Sequence, residues 1–322
     1  MIKIEHLTKN YGKIRAVSDI SFEVGEGEIV GFLGPNGAGK STTMNILTGC
    51  LSATEGHVFI DGIDILEQPM EAKRRIGYLP EHPPLYPDMK VSEFLDFVYD
   101  LKKCTFDRKK HLAEIARVTE ITDVWGRRIG NLSKGYHQRV GIAQALVGNP
   151  KVLVFDEPTV GLDPRQIVEI RNLIRMLGKN HTVILSTHIL PEVSAVCERI
   201  VMINKGKLIA NERTEDLSSA VDGYRRIEAR ICGSEKEVKN VLRGKPGIVS
   251  VEAIGVRETD SCDFSIVSEP GADIRKPLFR WMSEAGMPII ALSGSGTSLE
   301  EVFLSLLDRQ QEKKRAESKR NS

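Results

Sequence analysis

Residues 34 to 42 read Gly34-Pro35-Asn36-Gly37-Ala38-Gly39-Lys40-Ser41-Thr42. The preceding apolar run from Glu28 to Leu33 is typical of a strand, and residues from Lys40 to about Thr48 have the pattern of a helix. Glycines let successive N–H groups of such a loop point inward, and the helix N-terminus adds partial positive charge. This context predicts a phosphate-binding P-loop and disfavours an ordinary glycine-rich turn.

Within this loop, we expect Lys40 to reach the terminal phosphates of a nucleotide and Ser41 to offer its hydroxyl to Mg²⁺. A second motif, Val152-Leu153-Val154-Phe155-Asp156-Glu157, is an apolar strand that ends in two carboxylates. We expect Asp156 to hold Mg²⁺ and Glu157 to polarise a water toward the γ-phosphate. A strand end with Asp-Glu can also be a plain solvated turn, and the two motifs together still allow a kinase, a GTPase or another P-loop enzyme.

The segment between these motifs contains Asn131-Leu132-Ser133-Lys134-Gly135-Tyr136-His137-Gln138-Arg139. Ser133 is a good N-cap for a helix that runs to about Val147, so this helix end can bind a second phosphate; taken alone, it is a plain helix cap. The Leu-Ser-x-Gly core resembles the signature motif of ABC transporter ATP-binding subunits. The commonest signature has Gly in place of Lys134 and Gln in place of Tyr136. The variant found here is similar to that of ATPase subunits of type-2 exporters and gliding-motility-like systems.

The resemblance covers about the first 217 residues, with six motifs in the family's order. Gly161-Leu162-Asp163 resembles the D-loop, and His188 resembles the switch histidine that contacts the γ-phosphate. Tyr11 occupies the place of the aromatic residue that stacks on adenine, and hairpin packing is its alternative role. The segment Ile76-Gly77-Tyr78-Leu79-Pro80-Glu81 aligns with the glutamine loop, but Glu81 stands where Gln is usual. Its carboxylate still suits Mg²⁺ and adds negative charge beside the phosphates.

The resemblance implies ATP and Mg²⁺ as cofactors and a separate membrane permease as partner. The family's ATPase subunits form a two-fold dimer in which the signature of one protomer completes the ATP site of the other, so Leu132, Ser133, Lys134, Gly135 and Tyr136 are expected to contact ATP in trans. A homodimer and a heterodimer with a paralogue both satisfy this expectation. We expect an exporter subunit on the cytoplasmic, inner face of the cell membrane, and the proline-rich segment His82 to Pro87 faces the permease in the family.

Two alternative functions are a non-transport ABC ATPase that acts on DNA or ribosomes, and a regulatory module that binds ATP without hydrolysing it. The chain has 45 Lys and Arg against 44 Asp and Glu, a formal charge of +1, so its composition does not indicate nucleic-acid binding. The five cysteines form no CxxC pair, which disfavours a zinc site. No run of about 18 apolar residues occurs, and the N-terminus carries no pattern of an export signal.

The hydrophobic pattern predicts an α/β domain over residues 1–217, with a helical subdomain at about 88–148, and the resemblance implies that this is a P-loop NTPase domain of the ABC ATPase type. Its predicted strands are Met1 to Leu7, Val17 to Val24, Glu28 to Leu33, Gly56 to Ile60, Val152 to Phe155, Thr182 to Ser186 and Ile200 to Ile203, and a single helix from Lys40 interrupts the first 80 residues. A small α+β, ferredoxin-like accessory domain is predicted at 223–309, from a strand–helix–strand–strand–helix–strand order. A last helix is expected at Leu299 to Leu307, and the polar tail 310–322 is expected to be disordered.

Overall fold

The computed structural model describes residues 1–214, 225–256, 258–269 and 272–295. The chain divides into two compact units, Met1–Thr214 and Glu215–Ser322. The predicted last helix at Leu299 to Leu307 and the polar tail lie outside the described residues.

The first unit contains ten strands and seven helices among its described residues, besides two short 3₁₀ turns. Its strands are β1 (Ile2–Tyr11), β2 (Ile14–Val24), β3 (Ile29–Leu33), β4 (Glu55–Ile60), β5 (Ile63–Asp64), β6 (Ile76–Leu79), β7 (Val152–Asp156), β8 (Thr182–Thr187), β9 (Arg199–Asn204) and β10 (Lys207–Arg213). Its helices are α1 (Lys40–Leu47), α2 (Pro69–Arg74), α3 (Val91–Leu101), α4 (Arg108–Val118), α5 (Lys134–Leu146), α6 (Pro164–Gly178) and α7 (Leu190–Val196).

A six-stranded sheet in the order β10-β9-β3-β8-β7-β6 forms the centre of this unit. Its strands run parallel except for the edge strand β10. β3 and β7 are buried along their whole length, as near-continuous apolar runs in a covered parallel sheet require. A second sheet, antiparallel and ordered β2-β1-β4-β5, shares a hydrophobic core with it.

Helices α3, α4 and α5 occupy the middle of the sequence, where the helical subdomain was predicted. Phe94, Leu95 and Val98 of α3 are buried as their spacing predicts, whereas Leu101 at the end of the same pattern is 68% exposed. The prediction of a single helix in the first 80 residues was wrong, because α2 also lies there. α2 has six residues and buries only Ala72, so it carries no apolar periodicity that a sequence pattern can detect.

The second unit contains β11 (Arg225–Cys232), α8 (Glu235–Leu242), β12 (Ile248–Gly255), β13 (Ser261–Ser268), α9 (Arg275–Glu284) and β14 (Ile289–Ser295). The four strands form an antiparallel sheet in the order β12-β13-β11-β14. The element order and this strand order are those of a ferredoxin-like fold, as predicted. Val238 and Leu242 of α8 and Leu278 and Met282 of α9 are buried in its core.

The register of the parallel sheet determines where its loops meet. Leu33 pairs with Thr187, and Asp156 pairs with Ser186, so β3, β7 and β8 end at the same edge. Loops that follow these strands therefore converge, as at the ligand-binding edge of open α/β sheets. Among the described residues, no helix has the length and apolarity needed to cross a bilayer.

Candidate functional site

The glycine-rich loop after β3 curls tightly before α1 begins. Gly39, the N-cap of α1, has φ +109°, in a region that side-chain-bearing residues rarely adopt. A Cβ at this position would also lie 2.7 Å from the backbone oxygen of Ala16 in β2. The loop therefore needs glycine at position 39 for two reasons: the positive φ of the backbone and the close approach of the loop to β2.

Lys40 is the first residue of α1, and its side chain is buried within the loop. Its Nζ donates to the backbone oxygen of Gly34 at 2.8 Å and to that of Pro35 at 3.4 Å. The same Nζ lies 3.6 Å from Glu157 Oε1. The ammonium thus has acceptors of its own, and a bound triphosphate has to replace some of them.

Glu157 follows β7 at the same sheet edge and is 6% exposed. Its Oε1 lies 2.9 Å from Nδ1 of His188, and its Oε2 accepts a hydrogen bond from Thr187 Oγ1 at 3.2 Å. Its backbone has φ +51°, which is uncommon for a residue other than glycine. Both carboxylate oxygens are therefore held, and the backbone turn aims the side chain at the P-loop.

Asp156, the last residue of β7, is buried, and burial raises the pKa of its carboxyl, while Ser186 and Ser41 act in the opposite direction. Its Oδ1 has no hydrogen-bond partner among the described residues. A bound cation would satisfy this oxygen and stabilise the charged form, and oxygen donors are what Mg²⁺ prefers. The described residues contain no cluster of three His, Cys, Asp or Glu that could hold a metal. The oxygen donors at Asp156 therefore suit an Mg²⁺ ion whose other ligands include phosphate oxygens of a nucleotide.

A pocket of about 280 Å³ brings together nine of the predicted residues, but Tyr11, Gly34, Pro35, Ala38 and Asp156 are not part of its lining. The predicted residues that line it are Asn36, Gly37, Gly39, Lys40, Ser41, Thr42, Glu81, Glu157 and His188. Ala16 and Val160 line it as well, and the sequence interpretation missed both. Neither carries a polar group that a sequence pattern could single out.

The signature segment is absent from the lining of this pocket. Ser133 caps α5 as predicted, with its Oγ accepting from the backbone N–H of Tyr136 at 3.4 Å. Lys134 lies against the D-loop of the same chain, since a Cβ on Gly161 would be only 1.9 Å from its Nζ. Asp163 caps α6 by accepting from the N–H of Gln166 at 2.9 Å. The signature and the D-loop are thus neighbours, apart from the P-loop pocket.

Two aromatic residues were predicted to contribute to nucleotide binding. Tyr136 donates from its hydroxyl to Asp123 at 2.5 Å, and this hydrogen bond raises the pKa of the phenol. Tyr11 is 48% exposed at the end of β1, and Nζ of Lys9 lies 5.3 Å from its ring centroid. The ring of Tyr11 is outside the pocket lining, and its exposed part is accessible to a planar ligand.

The model of the family described as "ABC transporter" matches residues 17–160 of this chain. The chain is 37% identical to the bacitracin transport ATP-binding protein BcrA of Bacillus licheniformis, with 95% of this chain and 97% of that protein covered. It is 34% identical to the Nod factor export ATP-binding protein I of Rhizobium etli, with 97% and 95% covered. These similarities extend over nearly the full length of both relatives.

Among solved structures, the chain is similar to the ATP-binding cassette MJ0796, a dimer in a post-hydrolysis state bound to ADP and Pi. The TM-score is 0.60 at 29% sequence identity, and the match covers 66% of this chain and 99% of that one. The matched region therefore corresponds in length to one ATP-binding cassette.

Proposed function

Because this chain belongs to the family of ABC transporter ATP-binding subunits, which bind and hydrolyse ATP, we propose that it energises export through a separate membrane permease. The observation that carries the proposal is the convergence of Lys40, Glu157 and His188 in one pocket at the P-loop. Export is supported by the relatives that act in bacitracin transport and Nod factor export. Within the family, we assign the chain to the type-2 exporter and gliding-motility-like group because of its Ser-Lys-Gly-Tyr signature.

In the proposed reaction, the phosphates of ATP lie on the inward-pointing N–H groups of the P-loop, and the ring of Tyr11 stacks on adenine. Lys40 exchanges its carbonyl contacts for phosphate oxygens. Glu157 accepts a proton from the attacking water, and His188 contacts the γ-phosphate. Ser41, Asp156 and Glu81 provide oxygen donors for Mg²⁺, which supplies charge stabilisation of the transferred phosphoryl group.

We propose that two ATPase subunits close around two ATP molecules. The signature residues lie outside the pocket of their own chain, and Ser133 at the α5 N-terminus is exposed. An exposed helix N-terminus that presents N–H groups can bind the γ-phosphate of a nucleotide held by the other protomer. The partner is a second copy of this chain or a paralogue, and the dimeric MJ0796 cassette supports the arrangement.

A groove of about 660 Å³ is the surface where we propose that the permease docks. Its lining is mostly apolar and includes Tyr78, Pro80 and Pro84 from the segment that also carries Glu81. A permease element seated there touches the chain segment that reaches the nucleotide. This contact would hold the subunit at the cytoplasmic face of the membrane. We propose residues 1–217 as the ATPase domain and 223–309 as an accessory domain.

The test is a Glu157→Gln variant, which keeps the shape of the site and removes the proton acceptor. ATP and Mg²⁺ should convert it to a stable dimer on size-exclusion chromatography, because binding without turnover stabilises the closed form. Wild-type protein should return toward monomer as it releases phosphate.

The matched control is Ser133→Arg in the Glu157→Gln background, which should block dimer formation by crowding the phosphate site. A Glu157→Gln protein that stays monomeric at saturating ATP would contradict the sandwich dimer. ATP binding by the wild type with no phosphate release would favour the regulatory alternative.

A further inference from the structure

Helix α7 carries a buried carboxylate for which the proposed reaction has no use. Glu192 is 1% exposed and has no Lys, Arg or His ion-pair partner among the described residues. Its Oε1 accepts a hydrogen bond from the Thr159 hydroxyl, and its Oε2 accepts one from Thr187 Oγ1 at 3.1 Å. A buried carboxylate without a cation is costly, so its position needs a reason beyond packing.

Of the two hydroxyls that donate to Glu192, one also contacts the catalytic carboxylate, and the other belongs to a residue that follows Glu157 closely in the chain. Thr187 ends β8 beside His188, and its Oγ1 also lies 3.2 Å from Glu157 Oε2. Thr159 follows Glu157 by two residues, on the segment that leads to Asp163. One hydroxyl proton of Thr187 serves two carboxylates, and Oγ1 also accepts from the N–H of Ile189 at 3.1 Å. Loss of the hydrogen-bond acceptors of Glu192 therefore changes how Thr187 holds Glu157.

The backbone of Glu157 needs such support. A non-glycine residue at φ +51° persists where its surroundings determine its conformation. The backbone N–H of Glu157 donates to Ser186 at 2.8 Å, and its carbonyl accepts from Val160 at 3.3 Å. The hydrogen bond between Thr159 and Glu192 fixes the next residues of the same turn to α7.

We propose that Glu192 is a positioning residue that orients the Glu157 carboxylate toward the nucleotide by holding the hydroxyls of Thr187 and Thr159. Through its hydrogen bonds with Thr159 and Thr187, Glu192 also connects the turn after Glu157, which leads to Asp163, with the segment that carries His188. This inference rests on the proposed function, because it assigns a cause to the orientation of the group that accepts the proton. Its effect is on turnover, since none of its contacts reaches the P-loop.

The experiment compares variants that remove the hydrogen bonds with variants that keep them. Glu192→Leu and Thr187→Val should each lower kcat for ATP by about tenfold to a hundredfold, because small displacements of a reacting group cost that much. KM and equilibrium ATP binding should stay within about threefold of wild type. Glu192→Gln and Thr187→Ser keep hydrogen-bonding groups and should retain kcat within about fivefold. The Glu192→Leu/Thr187→Val double variant should lose less kcat than the product of the two single losses, because the two residues share one hydrogen bond.

A matched control is Thr119→Val, which removes an equally buried hydroxyl whose contact is with the backbone of Ile115. It should leave kcat unchanged. The inference fails if Glu192→Leu and Thr187→Val keep wild-type kcat, or if they lose ATP binding in proportion to kcat. In either case the proposed function stands, provided that the wild type hydrolyses ATP and Glu157→Gln does not. A wild type without phosphate release would overturn the proposed function and this inference together.

Discussion

The pairing of Lys40 with Glu157 predicts that the two side chains stabilise the nucleotide-free protein jointly. Lys40→Met removes the cation and leaves the buried Glu157 carboxylate with His188 and Thr187 as its remaining contacts. Glu157→Gln removes the anion instead. The free energy of unfolding lost on Lys40→Met should therefore be larger in the wild-type background than in the Glu157→Gln background.

The distance and burial of the pair give the size of this difference. Two unit charges about 4 Å apart attract by about 4 kcal/mol at an effective dielectric constant near 20, and by about 1 kcal/mol in bulk water. Both residues are 6% exposed, which favours the larger figure, but the remaining contacts of each side chain compensate for part of it. We expect a coupling free energy of about 2 kcal/mol. In a domain of this size, that corresponds to an extra fall in Tm of about 4–8 °C.

Thermal unfolding without nucleotide, followed by circular dichroism, measures this coupling across the four proteins of the cycle. Lys13→Met, in the exposed turn between β1 and β2, is the control and should change stability by less than about 0.5 kcal/mol. ATP binding should fall in both Lys40→Met proteins, because the phosphate contact is lost in each. Equal Tm losses in the two backgrounds would refute the reasoning.

Three further predictions concern other parts of the chain. Glu81→Gln should keep ATP turnover within about a hundredfold of wild type, because the amide oxygen can serve the same donor position; a larger loss in a phosphate-release assay would show that the carboxylate is needed. Burial lowers the pKa of Lys102 to about 8, so the unfolded chain binds the extra proton between about pH 8 and 10.5 and the free energy of unfolding rises with pH in that window. Urea unfolding at pH 7.5 and pH 10 should show a smaller rise for Lys102→Met than for wild type. A chain that ends at Leu217 should fold and bind ATP, since all predicted motifs precede that point; an insoluble product without nucleotide binding would contradict separate cores.

Much of the fold was predictable because its patterns are local. In β11, the buried residues Ile227, Ala229 and Ile231 alternate with more exposed ones, which is the period of a half-covered strand. α2 escaped prediction because it is short and mostly exposed. Leu101 shows a different limit: its spacing fits the apolar face of α3, but it is the last residue of the helix and extends beyond the packed turns.

The P-loop was predictable for the same reason, because its strand, turn and helix are contiguous. The hydrogen-bond network around Glu192 could not be predicted. Thr159, Thr187 and Glu192 come from separate segments, and none of these segments has a sequence pattern that indicates the contacts. The only signal is an acidic residue among the apolar neighbours Leu190 and Val193. Likewise, the contact of Lys134 with the backbone of Gly161 depends on how α5 packs beside the D-loop.

The close approach of β3 to α7 has a consequence for genetics. A Cβ on Gly31 would lie 2.1 Å from Cγ1 of Val193 and 3.3 Å from Sγ of Cys197, so a larger residue there must displace Val193 relative to β3. Val193 is the neighbour of Glu192, and the displacement would reach the carboxylate that holds Thr187. Loss-of-function alleles should therefore arise at position 31, which contributes no atom to the pocket lining. Their intragenic suppressors should include Val193→Ala, which restores the missing space without altering any residue that contacts the nucleotide.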